Sequence, residues 1–124
     1  MSGTDIFIDT NICIYLLNGD TVLAEMLQDQ SIYISVITEI ELYAYHGNTP
    51  ASIKKLDAFI QSVYVIDLDA FVKETTIQIR KSTKLKLPDS IIAASALKND
   101  MPLITADKAF ERLNGLDLII YEKS

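Results

Sequence analysis

The side chains of this sequence whose type and spacing could do chemistry are carboxylates: Asp9, Asp89, Asp107, and one of the pair Glu39 and Glu41. Asp9 and Asp107 stand at predicted junctions where an apolar strand-like run gives way to a helix, Asp89 in the first turn of a predicted helix, and the two glutamates within another. Hard cations such as Mg²⁺ take oxygen ligands, usually only a few carboxylates, and keep several waters. A convergent set of three or four could therefore hold one or two ions. Ions so held activate water and neutralise charge on an in-line phosphoryl transition state. Before any ion arrives the carboxylates repel one another, which predicts that at least one has a raised pKa. A lone His46 and a lone Cys13 argue against a soft transition-metal site, so Mg²⁺ or Mn²⁺ is the expected cofactor.

Taken singly, the positions leave alternatives open. Asp9 closes the run Ile-Phe-Ile-Asp-Thr-Asn, where helix N-terminal N–H groups favour negative charge. It reads equally well as a simple helix cap. Asp107, in Leu-Ile-Thr-Ala-Asp, has the same double reading. Two such junctions in one small sheet make a shared acidic pocket more credible than either alone. Asp89 lies in the first turn of Pro-Asp-Ser-Ile-Ile-Ala-Ala-Ser-Ala-Leu and shares a face with Ile92, Ala93, Ala96 and Leu97, which carries it inward. Glu41 shares a stripe with Ile37, Thr38, Ala44 and Tyr45; Glu39 shares one with Val36, Leu42 and Tyr43. Periodicity does not choose between them.

The elements that must position these groups alternate in type. Strands are expected at Asp5–Asp9, Ser31–Ser35, Tyr64–Leu68, Leu103–Thr105 and Leu118–Tyr121, short and nearly continuous in apolar character, as strands buried on both faces are. Helices are expected at Asn11–Leu17 (capped by Thr10), Thr21–Asp29 (capped by Asp20), Val36–His46, Ala51–Ser62, Asp69–Ser82, Asp89–Lys98 and Lys108–Leu113. The alternation predicts an α/β fold, a three-layer α/β/α sandwich around a mostly parallel sheet. In such sheets sites form beyond the carboxyl ends of the strands, where Asp9 and Asp107 fall.

With 124 residues, 49% of them hydrophobic, the chain fits one domain over 1–124. A mean hydropathy of +0.21 is high for a small monomer and points to a homodimer interface. No apolar run approaches membrane-spanning length and no secretory signal is visible, so a cytoplasmic address is the default expectation. Net charge is −6, and no Lys or Arg precedes Lys54. Binding nucleic acid by simple phosphate neutralisation is therefore disfavoured. An acidic protein can still act on nucleic acid when bound cations invert the local sign. The main basic cluster, Arg80, Lys81, Lys84 and Lys86, sits just before Asp89, where it either forms a solvated face or steers phosphate.

These residues resemble a known family. Phe-Ile-Asp9-Thr-Asn-Ile resembles the opening strand of PIN domains. Ser35-Val-Ile-Thr-Glu-Ile-Glu41-Leu resembles their second motif, Leu87-Pro-Asp89-Ser-Ile-Ile-Ala-Ala the third, and Leu103-Ile-Thr-Ala-Asp107-Lys-Ala-Phe the fourth. Each motif is weak alone; four in order across nearly the whole chain are a strong signal. The resemblance implies a five-stranded parallel sheet and a metal site of Asp9, Glu41, Asp89 and Asp107, with Asn11 and Thr105 in support. It selects Glu41 over Glu39, because Glu41 follows Thr38 by three and precedes Leu42. The chain departs from many relatives at Ala109, where they carry an Asp before the Phe. Small PIN proteins of this kind resemble the VapC-type toxins, which implies metal-dependent endonucleolytic cleavage of single-stranded RNA, homodimerisation and a cognate antitoxin protein as partner.

The rivals fit less well. A Mg²⁺-binding receiver-like domain needs paired acids after the first strand and a Lys after the last long one; this chain has a lone Asp9 there and ends Tyr121-Glu-Lys-Ser. A haloacid-dehalogenase phosphatase wants Asp-x-Asp where this chain has Asp9-Thr-Asn11. A catalytically silent PIN-fold interaction module is disfavoured by intact carboxylates at all four motifs. His46 reads as a helix-end residue, Cys13 as a small buried one, and Tyr43 and Tyr45 as core or dimer contacts rather than base-stacking platforms.

Overall fold

A computed structural model describes residues 4–123 of the chain. Five strands, β1 (Asp5–Ile8), β2 (Ser31–Ser35), β3 (Tyr64–Ile66), β4 (Leu103–Thr105) and β5 (Leu118–Ile120), form one sheet in the order β3-β2-β1-β4-β5, with every pairing parallel. Six α-helices connect them: α1 (Thr10–Leu17), α2 (Thr21–Met26), α3 (Val36–Ala44), α4 (Pro50–Gln61), α5 (Ala70–Ser82) and α6 (Leu87–Lys98). The chain winds outward from β1 to β3, then returns to add β4 and β5 on the other side. The strand order therefore reverses between β1 and β4, the position where open α/β sheets place their ligands.

Alternation along the strands feeds two cores. Phe7 and Leu103 pack with α5 and α6 residues such as Val72, Ile79, Ile92 and Ala96. Ile6, Ile8 and Ile104 face the other way, onto Ile12, Leu23 and Leu56 of α1, α2 and α4. These are the two outer layers of the expected sandwich. The third helix straddles both cores: Ile37 packs on the first and Leu42 belongs to the second, and α3 also touches α1, α4 and α6. Glu41 is held over the carboxyl end of the sheet by that placement.

Several boundaries and caps differ from the sequence reading. The cap of α1 is Asp9, whose side chain accepts from the Thr10 N–H, and Thr10 is the first helical residue. The third helix stops at Ala44, leaving His46 on the turn beyond it. The second ends at Met26, and Asp29 takes a left-handed backbone with φ 66°. The segment after β4 is a 3₁₀ turn, Lys108–Arg112, rather than an α-helix. Five residues between the Asp107 cap and Leu113 leave little room for α-type i→i−4 bonds, and the tighter winding takes their place. Among the described residues no helix is long and apolar enough to cross a membrane.

The sixth helix is buried from Ser90 to Ala96, and its alanines Ala93, Ala94 and Ala96 are fully enclosed. Small side chains let it lie close to the sheet, and this closeness carries Asp89 towards β1. Ala96→Leu should therefore overpack the layer and lower stability by about 1–3 kcal/mol. Urea denaturation measures this directly; an unchanged midpoint would mean the layer has slack.

Candidate active site

Asp9 is the centre of the arrangement. The β1–β4 register pairs Phe7 with Leu103 and Ile8 with Ile104, so the next residues, Asp9 and Thr105, emerge side by side. The Asp9 backbone N–H still donates to Ile104 O, which fixes its height at the strand end. Asp9 is 4% exposed, and such a carboxylate needs hydrogen bonds to replace lost water. It has three. The Thr10 backbone N–H donates to Oδ1 at 2.7 Å, and Oδ2 accepts from Thr105 Oγ1 at 2.6 Å and from Asn11 Nδ2 at 3.3 Å. Burial nevertheless holds Asp9 above its ordinary pKa; the bonds from Thr105 and Thr10 pull down, and the charges of Asp107 and Glu41 push further up.

Two threonine hydroxyls tie the neighbouring carboxylates to this centre. Thr105 Oγ1 donates its one proton to Asp9 and accepts the Asp107 backbone N–H at 3.0 Å. Asp107 in turn caps the 3₁₀ turn through Ala109 N–H at 2.9 Å. On the other side Thr10 Oγ1 donates to Glu41 Oε1 at 2.8 Å and lies 2.9 Å from Thr38 Oγ1. A hydroxyl has one proton. With Thr10's given to Glu41, the buried Thr38 must be the donor to Thr10. Asn11 completes the frame: its Nδ2 reaches Asp9 while its Oδ1 accepts the Ala106 N–H at 3.2 Å. Among the described residues no buried side-chain polar atom lacks a partner.

Asp89, half-buried in the first turn of α6, completes the set. Burial, then the charges of Asp9, Asp107 and Glu41, push its pKa up to about 6, while Lys86 pulls weakly the other way. The structure thus brings Asp9, Glu41, Asp89 and Asp107 within electrostatic reach of one another, with Thr105 and Asn11 bonded into the network. Glu39 makes no side-chain bond to any of them. Two participants lay outside the sequence reading: Thr10, taken as a cap, and Thr38, noted only for its spacing. Their contact joins positions 28 apart, which no local pattern reveals.

The donor set suits a hard divalent cation, because every group offered is oxygen and the negative charges lack a cationic partner. Among the described residues, no three or more His, Cys, Asp and Glu side chains are gathered into a ready-made cage. An ion here would be held by one or two of the carboxylates and keep water in its other positions, the habit of Mg²⁺. Cys13 is fully buried, and burial and then the Asp9 charge push its thiol up, so it remains neutral and is no ligand. Beside Glu41 a groove of about 600 Å³ opens between α1, α3 and α4, walled by Thr10, Ile14, Leu17, Leu42, Tyr45 and Leu56.

Comparison with known proteins bears on this geometry. A family model described as PIN domain matches residues 6–116. Among solved structures the chain is similar to a toxin–antitoxin complex from Klebsiella pneumoniae, with 26% identity and a TM-score of 0.81 over 95% of this chain and 99% of that one. It is also similar to DNA-bound VapBC from Salmonella typhimurium, with 26% identity and a TM-score of 0.76 over 97% and 98%. VapBC2 from Rickettsia felis, bound to a fragment of promoter DNA, is 24% identical with a TM-score of 0.81 over 95% and 99%, a likeness of fold alone. No curated protein sequence matches the chain.

The raised Asp89 carboxyl has a consequence for stability. It holds its proton more tightly in the folded chain than at the ordinary value of 3.8, so its contribution favours folding at low pH and is lost as pH rises through about 6. In EDTA, Asp89→Asn should melt above the parent chain at about pH 7.5, and the advantage should shrink as pH falls towards 4. A pH-independent difference in thermal melts would mean that Asp89 does not feel its neighbours' charge.

Proposed function

The chain belongs to the PIN domain family, and on that footing we propose that it is a Mg²⁺- or Mn²⁺-dependent endoribonuclease, the toxin of a toxin–antitoxin pair, cleaving single-stranded RNA. The observation that carries the reading is the network around Asp9, in which neutral donors alone hold a buried carboxylate among three others at the sheet's switch point. Asp9, Glu41, Asp89 and Asp107 are the set from which the ion's one or two carboxylate ligands would come. When bound it would supply activation of the attacking water and neutralise charge on the phosphodiester.

The chain's own residues do the positioning. Thr105 and the Thr10 N–H fix Asp9 in direction and oppose the upward pull of burial on its pKa; Thr10 Oγ1 orients Glu41; Thr105 Oγ1 holds the Asp107 backbone. Asp89, with its pKa raised to about 6, is the member best suited to take a proton near neutral pH. The similarity to toxin–antitoxin complexes supports a cognate antitoxin as protein partner, and the groove beside Glu41 gives such a partner a place from which to cover the site. A second reading, a PIN fold that binds a partner without catalysis, draws on the absence of a ready-made cage. Metal binding without RNA turnover would favour it.

Three variants and a chelator test the ribonuclease. EDTA should abolish cleavage of a single-stranded RNA, and Mg²⁺ or Mn²⁺ should restore it; undiminished activity in EDTA would end the metal reading. Asp9→Asn should remove activity with the fold intact by circular dichroism. Glu41→Gln should lower the rate by at least ~10²-fold, the scale of losing one electrostatic stabiliser, while Glu39→Gln should change little. The reverse ranking would place the wrong glutamate at the site.

The reading also includes a homodimer in the cytoplasm. High mean hydropathy and exposed apolar side chains such as Ile40, Tyr45, Phe71 and Leu87 support association. Light scattering on the purified chain should give twice the 13.8 kDa protomer mass; a monomer at micromolar concentration would remove the dimer.

A further inference from the structure

Positive charge is concentrated as sharply as negative charge is. Arg80, Lys81, Lys84, Lys86, Lys108 and Arg112, over half of the chain's 11 Lys and Arg residues, fall on two short segments. One is the end of α5 with the loop into α6; the other is the 3₁₀ turn after β4. The two meet, and Ser82, Thr83 and Lys84 with Arg112 wall a shallow depression of about 400 Å³. Both segments adjoin the carboxylates. Lys84 precedes Asp89 by five residues, and Arg112 follows Asp107 by five. Five residues span at most ~18 Å of backbone, so the depression lies within a few nucleotides of the site. Lys86 lies close enough for its charge to be felt at Asp89.

The loop is built in one shape. Thr83 Oγ1 donates to Ile79 O at 2.9 Å and accepts the Leu85 N–H at 3.2 Å. The Arg80 guanidinium donates to Leu85 O, the Ser90 hydroxyl donates to Lys86 O at 2.9 Å, and the Leu85 side chain is buried at 2% exposure. Lys84 and Lys86, on either side of that anchor, remain exposed. Arg80 is used by the loop, and Lys108 pairs with Glu122 at 3.9 Å. Among the described residues Lys84 and Arg112 enter no ion pair. Two unpaired cations, Lys84 on a pinned loop and Arg112 on the 3₁₀ turn across the depression, in a chain of net charge −6, suit an anion between them.

We infer that the Lys84–Arg112 depression is a phosphate subsite, taking one backbone phosphate of the single-stranded RNA and setting the strand's path across the carboxylates. The assignment rests on the ribonuclease reading. It also accounts for how an acidic protein holds a polyanion: the strand is gripped where the charge is positive and cut where it is negative. Lys84 and Arg112 are positioning residues in this scheme, since neither reaches the reacting phosphate.

The experiment compares the parent chain with Lys84→Gln, Arg112→Gln, the double variant, Lys84→Arg, and Lys54→Gln on α4 as a distant control. Binding of a fluorescent single-stranded RNA oligomer is titrated in EDTA over a range of salt, and cleavage of that oligomer and of a dinucleotide is followed with Mg²⁺. The double variant should weaken binding about tenfold at low salt and reduce the slope of log affinity against log salt by about 0.7, the value for one single-strand phosphate neutralised. Its KM for the oligomer should rise while kcat holds. Turnover of the dinucleotide, whose one phosphodiester is the bond cleaved, should stay unchanged because it has no further phosphate to place in the depression. Lys84→Arg should behave like the parent and Lys54→Gln should lose nothing. An unchanged salt slope and KM in the double variant would overturn the subsite. So would equal losses on both substrates, or a weakened hold on an acidic protein partner with RNA binding intact. A parent chain that binds RNA through these residues but never cleaves it sinks the ribonuclease reading and leaves the binding assignment standing; one that neither binds nor cleaves overturns both.

Discussion

A carboxylate with 4% of its surface in contact with solvent has lost nearly all of its hydration, and the structure around Asp9 is organised to replace it. The replacement comes from three directions: the first N–H of α1, the hydroxyl of Thr105 at the end of β4, and the amide of Asn11, the second residue of α1. Each donor belongs to a different structural commitment. The first requires that a helix start immediately after β1. The second requires that β4, and no other strand, lie beside β1 in a register pairing Ile8 with Ile104. The third requires the Ala106 N–H to hold Asn11 in place. The satisfied state of one buried charge is thus coupled to the topology of the sheet.

From that constraint the remaining carboxylates follow. Thr105 cannot donate to Asp9 without presenting its lone pairs to the Asp107 N–H, so Asp107 is drawn in by the same hydroxyl. Thr10, fixed as the first residue of α1, turns its hydroxyl to Glu41 and is itself steadied by Thr38 from the first turn of α3. Asp89 is supplied by packing instead. The enclosed alanines of α6 bring that helix close to the sheet, and its first turn ends near the other three.

What was legible in the sequence was whatever is encoded locally. Strands buried on both faces show as short apolar runs, and all five were found where they stand. Asp69 and Asp20 declare their helices because a cap acts within three residues, accepting from Val72 and Leu23 respectively. The 3₁₀ turn after Asp107 read as an α-helix because its start signal is the same and only its length differs. The choice between Glu39 and Glu41 was not legible from periodicity. The helix carrying them, Val-Ile-Thr-Glu-Ile-Glu-Leu-Tyr-Ala, is apolar on more than one stripe, since it packs on both cores. Only the contact with Thr10, 31 positions away, separates the two glutamates, and a long-range hydroxyl bond leaves no periodic trace. Family resemblance points to Glu41, and the hydrogen bond from Thr10 is what sets it apart from Glu39 in the structure.

The choice of threonine over lysine in these bridges is itself informative. A buried acidic cluster that served only to hold the fold together would be stabilised most directly by a Lys or Arg, which cancels charge as well as donating hydrogen bonds. Here the donors to Asp9 and Glu41 are hydroxyl, amide and backbone N–H, all neutral, and among the described residues the one ion pair, Lys108 with Glu122, lies outside the set. Even Lys86, at the mouth of α6, is the weakest of the influences on Asp89. Neutral donors fix direction without quenching charge, so the mutual repulsion persists and adds to burial in raising the pKa values of Asp9 and Asp89. Holding like charges together is unfavourable unless a positive group arrives later. Among the described residues none stands at this point, although cations lie a few residues away on a pinned loop, and that separation suits the diffusible cation and the anionic strand proposed above.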